Sequence, residues 1–294
     1  MTDRGLHGVD GRPRGPRRVP GAAPDGGAGG HSAAGSGTVE TGVWLRQVEI
    51  KGDEFPDREA HPFDIPTLQR RQVLRFDQCA SFFVGENGSG KSTLIEAIAR
   101  RCGIHIWTES KRRVAPPAAR RPAARPGPHS HRSPAGLLSD HLDVILARGP
   151  VRGGVFTAES FRQWAEFLDD VAEIDPGQAK YHGGANLTLR SHGEGLMAYF
   201  RGRYQIPGLY FLDEPEAALS PASQLDLLRL LAELGQRGHA QFILATHSPI
   251  LMALPGAQVF SFGDAGIEET CYEETEHFRL YRDFTADPGA FLRE

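Results

Sequence analysis

At 294 residues, with 39% apolar and 24% charged side chains, the chain suits one large α/β domain or two small ones and has an ordinary composition for a soluble protein. A net charge of −4 excludes a polycation, so any nucleic-acid contact would need a local patch. The scattered cysteines Cys79, Cys102 and Cys271 form neither a metal-ligand pattern nor a disulfide framework, which fits a reducing, cytoplasmic setting. No apolar run approaches the roughly 18 residues of a membrane span, and the Arg/Gly-rich N-terminus lacks the apolar core of a secretory signal.

Residues 1–38 carry many glycines and almost no large apolar side chain, and are expected to be a disordered tail. Residues 39–294 are expected to form the folded domain. Val43 to Ile50 alternates like a strand, and Gln72 to Phe76 is a second candidate. Cys79 to Val84 is a third, apolar enough to be buried on both faces. Residues 111–137 break the pattern with prolines and arginines and no acid, and are expected to be an exposed insertion. Within it Lys111, Arg112, Arg113, Arg120, Arg121, Arg125 and Arg132 have no acidic neighbour. Two readings stand for that run: a solvated insertion without a partner, or a weak, salt-sensitive contact to nucleic acid.

Order returns near Leu142. A short strand, Gly154 to Phe156, precedes a helix whose Phe161, Trp164, Ala165, Leu168 and Val171 recur on one face as core. Beyond it, strand Leu209 to Leu212, helix Pro221 to Leu234 and strand Gln241 to Thr246 alternate. That order implies a parallel sheet covered by helices.

Gly85-Glu86-Asn87-Gly88-Ser89-Gly90-Lys91-Ser92-Thr93 satisfies G-x-x-x-x-G-K-[ST] without mismatch. The glycines let successive backbone N–H groups turn toward phosphate oxygens, Lys91 brings a positive charge, and the Ser92 hydroxyl can coordinate Mg²⁺. A helix from Ser92 to Arg101 would point its N-terminal dipole at the anion. The strand at Leu209 ends in Asp213-Glu214. Two acids at the end of a buried strand are costly unless they meet a cation, and beside a phosphate loop Asp213 suits the metal and Glu214 the attacking water. A further strand delivers His247 to the same edge, where ligands of such sheets bind.

With GENGSGKST, GVFTAESF, SHGEG, YFLDEPEAALSP and ATHSPIL in hand, the chain resembles the small bacterial AAA-type ATPases whose heads are similar to ABC, SMC and RecF ATPases. The resemblance runs from about residue 43 to the end, apart from the Pro/Arg-rich insertion. It implies a P-loop NTPase α/β fold with an ABC-ATPase-like parallel or mixed sheet flanked by helices, and Mg-dependent ATP hydrolysis. It makes Gly85 to Thr93 the Walker A loop, Asp213 the Mg²⁺ residue with Ser92, Glu214 the catalytic base and His247 the switch histidine. Ser191 and Gly193 take the signature positions that face the γ-phosphate of a partner, and Ala217 to Ser220 the D-loop. An ATP-dependent homodimer follows from that family.

There are departures. Arg190 and His192 replace the usual Leu and first Gly of the signature, Glu159 is a weak stand-in for the Q-loop glutamine, and only Phe55 and Phe63 are candidates to stack on adenine. Read from its residues, SHGEG is also a capping box, Ser191 with Glu194 three positions on, opening a helix through Met197 and Phe200. Competing readings are the ATP-binding subunit of a transporter and a non-hydrolysing ATP-bound interaction module. A GTPase is disfavoured by the lack of N-K-x-D, and too few residues follow His247 for a fused nuclease.

Overall fold

Successive side chains of a strand point to opposite faces, so a strand apolar at every position must be covered on both. The computed structural model bears this out and describes residues 42–106, 133–158, 161–174, 177, 183–184, 187–189 and 191–292. Val39–Glu294 is one compact unit. The expected tail 1–38 and the basic run 111–132 lie outside the described residues.

The strands are β1 (Leu45–Lys51), β2 (Arg71–Arg75), β3 (Ala80–Gly85), β4 (Leu142–Leu146), β5 (Gly153–Thr157), β6 (Gly208–Asp213), β7 (Ala240–Ala245), β8 (Gln258–Gly263) and β9 (Gly266–Thr270). The helices are α1 (Lys91–Arg101), α2 (Pro134–Leu138), α3 (Phe161–Ile174), α4 (His192–Arg203), α5 (Pro221–Gln236), α6 (Pro249–Met252) and α7 (Glu276–Ala286). One sheet runs β5-β6-β7-β3-β8-β9, parallel except for the antiparallel edge strand β9; the other is antiparallel, β2-β1-β4.

Alternation sorts the core into two layers. Phe83 of β3, Leu209 and Phe211 of β6, Ile243 and Ala245 of β7, and Phe260 and Phe262 of β8 face α1 and, beyond it, Leu45, Val48 and Ile50 of β1. Their neighbours Phe82, Val84, Tyr210, Leu212, Phe242, Leu244 and Val259 face α3, α4 and α5. The α1 helix is therefore packed between the two sheets, which fixes the loop preceding it. Phe161, Ala165 and Leu168 of α3 are buried as their spacing predicts, and the side chains of Trp164 and Val171 are outside what is described.

The expected insertion 111–137 ends too late. Ser133 caps α2 through the Gly136 N–H, Pro134 occupies the first turn, and Ala135 and Leu138 are buried against α1. The physical reason is that a proline directly after a capping serine starts a helix rather than breaking one. No helix among the described residues is long and apolar enough to cross a membrane.

Buried glutamines tie the sheets together. Gln241 of β7, fully buried, accepts from the Trp44 and Leu45 N–H groups at 2.8 and 2.7 Å and donates to the Leu45 carbonyl at 3.0 Å. Gln258 of β8 accepts from the Asp77 and Gln78 N–H groups and donates to the Arg75 carbonyl. Gln241→Leu keeps a similar volume but strands three backbone groups without partners. It should cost about 2–4 kcal/mol in a denaturant titration, and a loss below about 1 kcal/mol would deny Gln241 that role.

Candidate functional site

Strands β3, β6 and β7 end side by side, so Gly85, Asp213 and the residues after Ala245 reach one edge of the sheet. Gly85 (φ 145°) admits no side chain, since a Cβ there would stand 2.6 Å from the Phe262 carbonyl. Gly90 (φ 96°) opens α1 in the left-handed region without a side-chain cap. In contrast, α2, α4, α5, α6 and α7 each begin under a Ser or Thr hydroxyl that accepts from the first-turn N–H groups. The first N–H groups of α1 are thus left for an anion, with the helix dipole behind them.

Lys91 is buried, and its Nζ donates to the carbonyls of Gly85 at 2.7 Å and Glu86 at 2.8 Å. Burial lowers its pKa, while the charges of Glu214, Asp213, Glu86 and Glu216 oppose that shift. Ser92 Oγ donates to Asp213 Oδ1 at 2.8 Å, joining residues 121 positions apart. Burial pushes the Asp213 carboxyl up to about 6 against the pull of the Ser92 hydrogen bond, with Glu214 adding like charge.

Glu214 sits at φ 47°, ψ 52°, the one described non-glycine residue at positive φ. A left-handed residue at a strand end costs on the order of 1–2 kcal/mol and redirects the chain sharply. The Glu214 N–H donates to the Ala245 carbonyl at 3.0 Å, which holds the bend. Its Oε1 lies 3.7 Å from His247 Nε2. The His247 N–H donates to Glu216 Oε1 at 2.6 Å, and its Nδ1 is 2.9 Å from Nε2 of His277 in α7. Burial lowers the His247 pKa, and the Lys91 charge lowers it further.

A cavity of about 460 Å³ lies over the loop. Its lining includes Gly85 to Ser89, Pro66 and Thr67, Phe262 to Asp264, and Glu276 and His277. Lys91, Ser92, Asp213, Glu214 and His247 are not in that lining, and neither are Ser191 and Gly193. Ser191 Oγ accepts from the Glu194 N–H and the Glu194 carboxylate accepts from the Ser191 N–H, the capping box expected from the sequence. Gly193 lies beside Ser223 Oγ and the Ala218 carbonyl, so the start of α4 abuts the stretch Ala217 to Ser220. Phe55 and Phe63 do not reach the cavity either. They are buried against each other and against His141, with ring centres 4.8 to 5.4 Å apart, so they are core rather than an adenine platform. Glu159 and Arg190 lie outside the described residues.

Glu216 and His277 escaped the sequence reading. Glu216 belongs to the quoted YFLDEPEAALSP stretch, but only the fold brings its carboxylate to the His247 backbone. His277 has no motif around it.

The donor set fits a magnesium nucleotide. Ser89 Oγ and His247 Nε2 are buried polar atoms without a hydrogen-bond partner, the α1 start is uncapped, and Ser92 with Asp213 offers hard oxygens. A testable consequence attaches to Asp213. A carboxyl whose folded-state pKa is raised holds its proton more tightly folded than unfolded. Its contribution to stability therefore falls as pH rises from about 4 to about 6. In excess EDTA at pH 7.5, Asp213→Asn should raise the unfolding temperature by about 2–4 °C, with the gain shrinking toward pH 4. A lower melting point at pH 7.5 would contradict the buried-charge account.

Comparison with known proteins follows the same lines. Residues 180–253 match the family described as "AAA domain, putative AbiEii toxin, Type IV TA system". The chain is 29% identical over 178 residues to the methionine import ATP-binding protein MetN of Thermobifida fusca, covering 56% of this chain and 51% of MetN. It is 29% identical over 171 residues to the thiamine import ATP-binding protein ThiQ of Ruegeria sp., covering 56% of this chain and 69% of ThiQ. The chain thus spans about half the length of MetN. Among solved structures, the SMC head domain from Thermotoga maritima matches with 18% identity and a TM-score of 0.38, over 78% of this chain and 99% of that one. By the Gly85–Thr93 motif and the sheet order the chain has a P-loop α/β fold, and the curated relatives it is similar to in sequence, MetN and ThiQ, are ATP-binding proteins.

Proposed function

We infer that the protein binds Mg-ATP at the Gly85–Thr93 loop, hydrolyses it, and works as a conformational switch that dimerises on ATP. The observation that carries this reading is the 2.8 Å hydrogen bond from Ser92 to Asp213, which links the phosphate loop to the end of β6. Ser92 and Asp213 would hold magnesium, which supplies neutralising charge to the β- and γ-phosphate oxygens when bound.

The chain's own groups do the rest. Loop N–H groups and the uncapped start of α1 bind phosphate oxygens. Lys91 exchanges its two loop carbonyls for phosphate oxygens and brings its charge to them. Glu214 orients a water and takes its proton as the water oxygen bonds to the γ-phosphorus and the bond to ADP breaks. His247 donates through Nε2 to the terminal phosphate.

The dimer rests on the resemblance of Ser191-His192-Gly193-Glu194 to the ABC signature, by which a second copy would bring Ser191 and Gly193 to the nucleotide. Light scattering tests this. Glu214→Gln should double its mass on addition of Mg-ATP, and Ser191→Arg in that background should stay monomeric with nucleotide bound. A Glu214→Gln protein that binds ATP and remains a monomer would remove the dimer from the reading.

The names of MetN and ThiQ support a second reading, the ATP-binding subunit of an importer. That reading predicts that the chain fractionates with membranes in its native cell; the switch reading places it in the soluble fraction.

A further inference from the structure

The site holds a side chain that none of the motifs accounts for. His277 stands on α7, 30 residues beyond His247, and its Nε2 faces His247 Nδ1 at 2.9 Å. Its position is built rather than incidental. Thr275 caps α7 by accepting from the Phe278 N–H at 3.2 Å, and Phe278 packs on Tyr272 with ring centres 4.7 Å apart. The Tyr272 hydroxyl donates to the Pro249 carbonyl at 2.8 Å, in the helix that begins just after His247. The same short segments therefore hold both imidazoles.

Two ring nitrogens at hydrogen-bond distance share one proton, so one ring donates and the other accepts. If His247 donated through Nδ1, its Nε2 would present a lone pair to the Glu214 carboxylate, 3.7 Å away, and acceptor would face acceptor. If His277 donates, His247 Nε2 carries the proton and its N–H points to the side of Glu214. The second arrangement is electrostatically favoured, and it makes Nε2 a donor. Burial lowers the pKa of both rings, and each bears on the charge of the other or of Lys91, which favours the neutral pair. The carboxylates of Glu214, Glu86 and Glu276 pull the other way, and Glu216 is engaged by the His247 backbone N–H.

We propose that His277 is a positioning residue: its Nε2–H donates to His247 Nδ1 and fixes His247 as the Nε2–H tautomer, ready to donate to the terminal phosphate. The tautomer rests on the geometry alone, and its use in turnover rests on the ATPase reading of the site. In that role α7, which closes one wall of the cavity, becomes part of the hydrolytic site.

The experiment has two arms on the full chain. Ring ¹⁵N spectra of the nucleotide-free protein, assigned with His247→Gln and His277→Gln, should show His247 with Nε2 protonated and Nδ1 bare. In His277→Leu the same ring should become a tautomer mixture. Phosphate release should fall about 10-fold or more in kcat for His277→Leu, with KM for ATP within about twofold. His277→Gln, whose amide offers an N–H to the same Nδ1, should recover most of that loss. A His247 ring protonated at Nδ1 would overturn the proposal, and so would equal kcat for His277→Leu and His277→Gln at matched melting temperatures. A wild type that releases no phosphate would sink the ATPase reading, while the ring spectra would still decide the tautomer.

Discussion

Glu214→Gln is expected to bind ATP as the wild type does and to turn it over at least about a hundredfold more slowly. The side chain keeps its length and its hydrogen-bonding oxygen but loses the basicity needed to take a proton from water. The backbone argues for the same role. A strand that simply ended would not place a glutamate at φ 47°, yet here the strained residue is held by its N–H bond to Ala245 and aims its carboxylate at His247. The variant separates binding from chemistry, so fluorescence titration with an ATP analogue and single-turnover phosphate release should diverge. Turnover at the wild-type rate would take the base role away from Glu214.

Lys91→Ala should act at the earlier step and lower ATP affinity on the order of a hundredfold. Lys91 is buried with its charge satisfied by two loop carbonyls and by the acids around it. A buried ammonium is retained at a cost, and the loop carbonyls are weak recompense beside phosphate oxygens. Its removal deletes the cation nearest the phosphates and leaves the Gly85 and Glu86 carbonyls without that donor. Isothermal titration with Mg-ATP reads the effect. Retained affinity with lost turnover would move Lys91 from binding to chemistry alone.

What the sequence made legible was whatever is coded locally. The loop Gly85 to Thr93 is contiguous, and the strands leading to it, to Asp213 and to His247 are largely apolar and almost wholly buried because both faces are covered. Those three segments fixed the sheet edge where the candidate residues meet. The strands β8 and β9 were not foreseen, since a serine interrupts the first and the second is an edge strand with a largely polar face. α2 was hidden by the Pro/Arg composition around it, although Ser133-Pro134 is a helix start. Gln241 sits in a run that reads as plain core; its tie to Leu45, 196 residues away, exists only in the folded chain. His277 is the same kind of case, because a histidine in a polar helix gives no sign that another histidine waits opposite. Phe55 and Phe63 misled in the other direction, as aromatic character alone does not distinguish a stacking platform from a core pair.

The central claim is that Ser92, Asp213 and Glu214 form one magnesium-dependent hydrolytic centre. Its most direct measurement is steady-state phosphate release from ATP by the purified full chain, in Mg²⁺ and in excess EDTA, alongside Glu214→Gln. The account predicts release in Mg²⁺ that EDTA abolishes and that Glu214→Gln lowers at least about a hundredfold. Release that persists in EDTA, or that the Glu214→Gln protein matches, would contradict it.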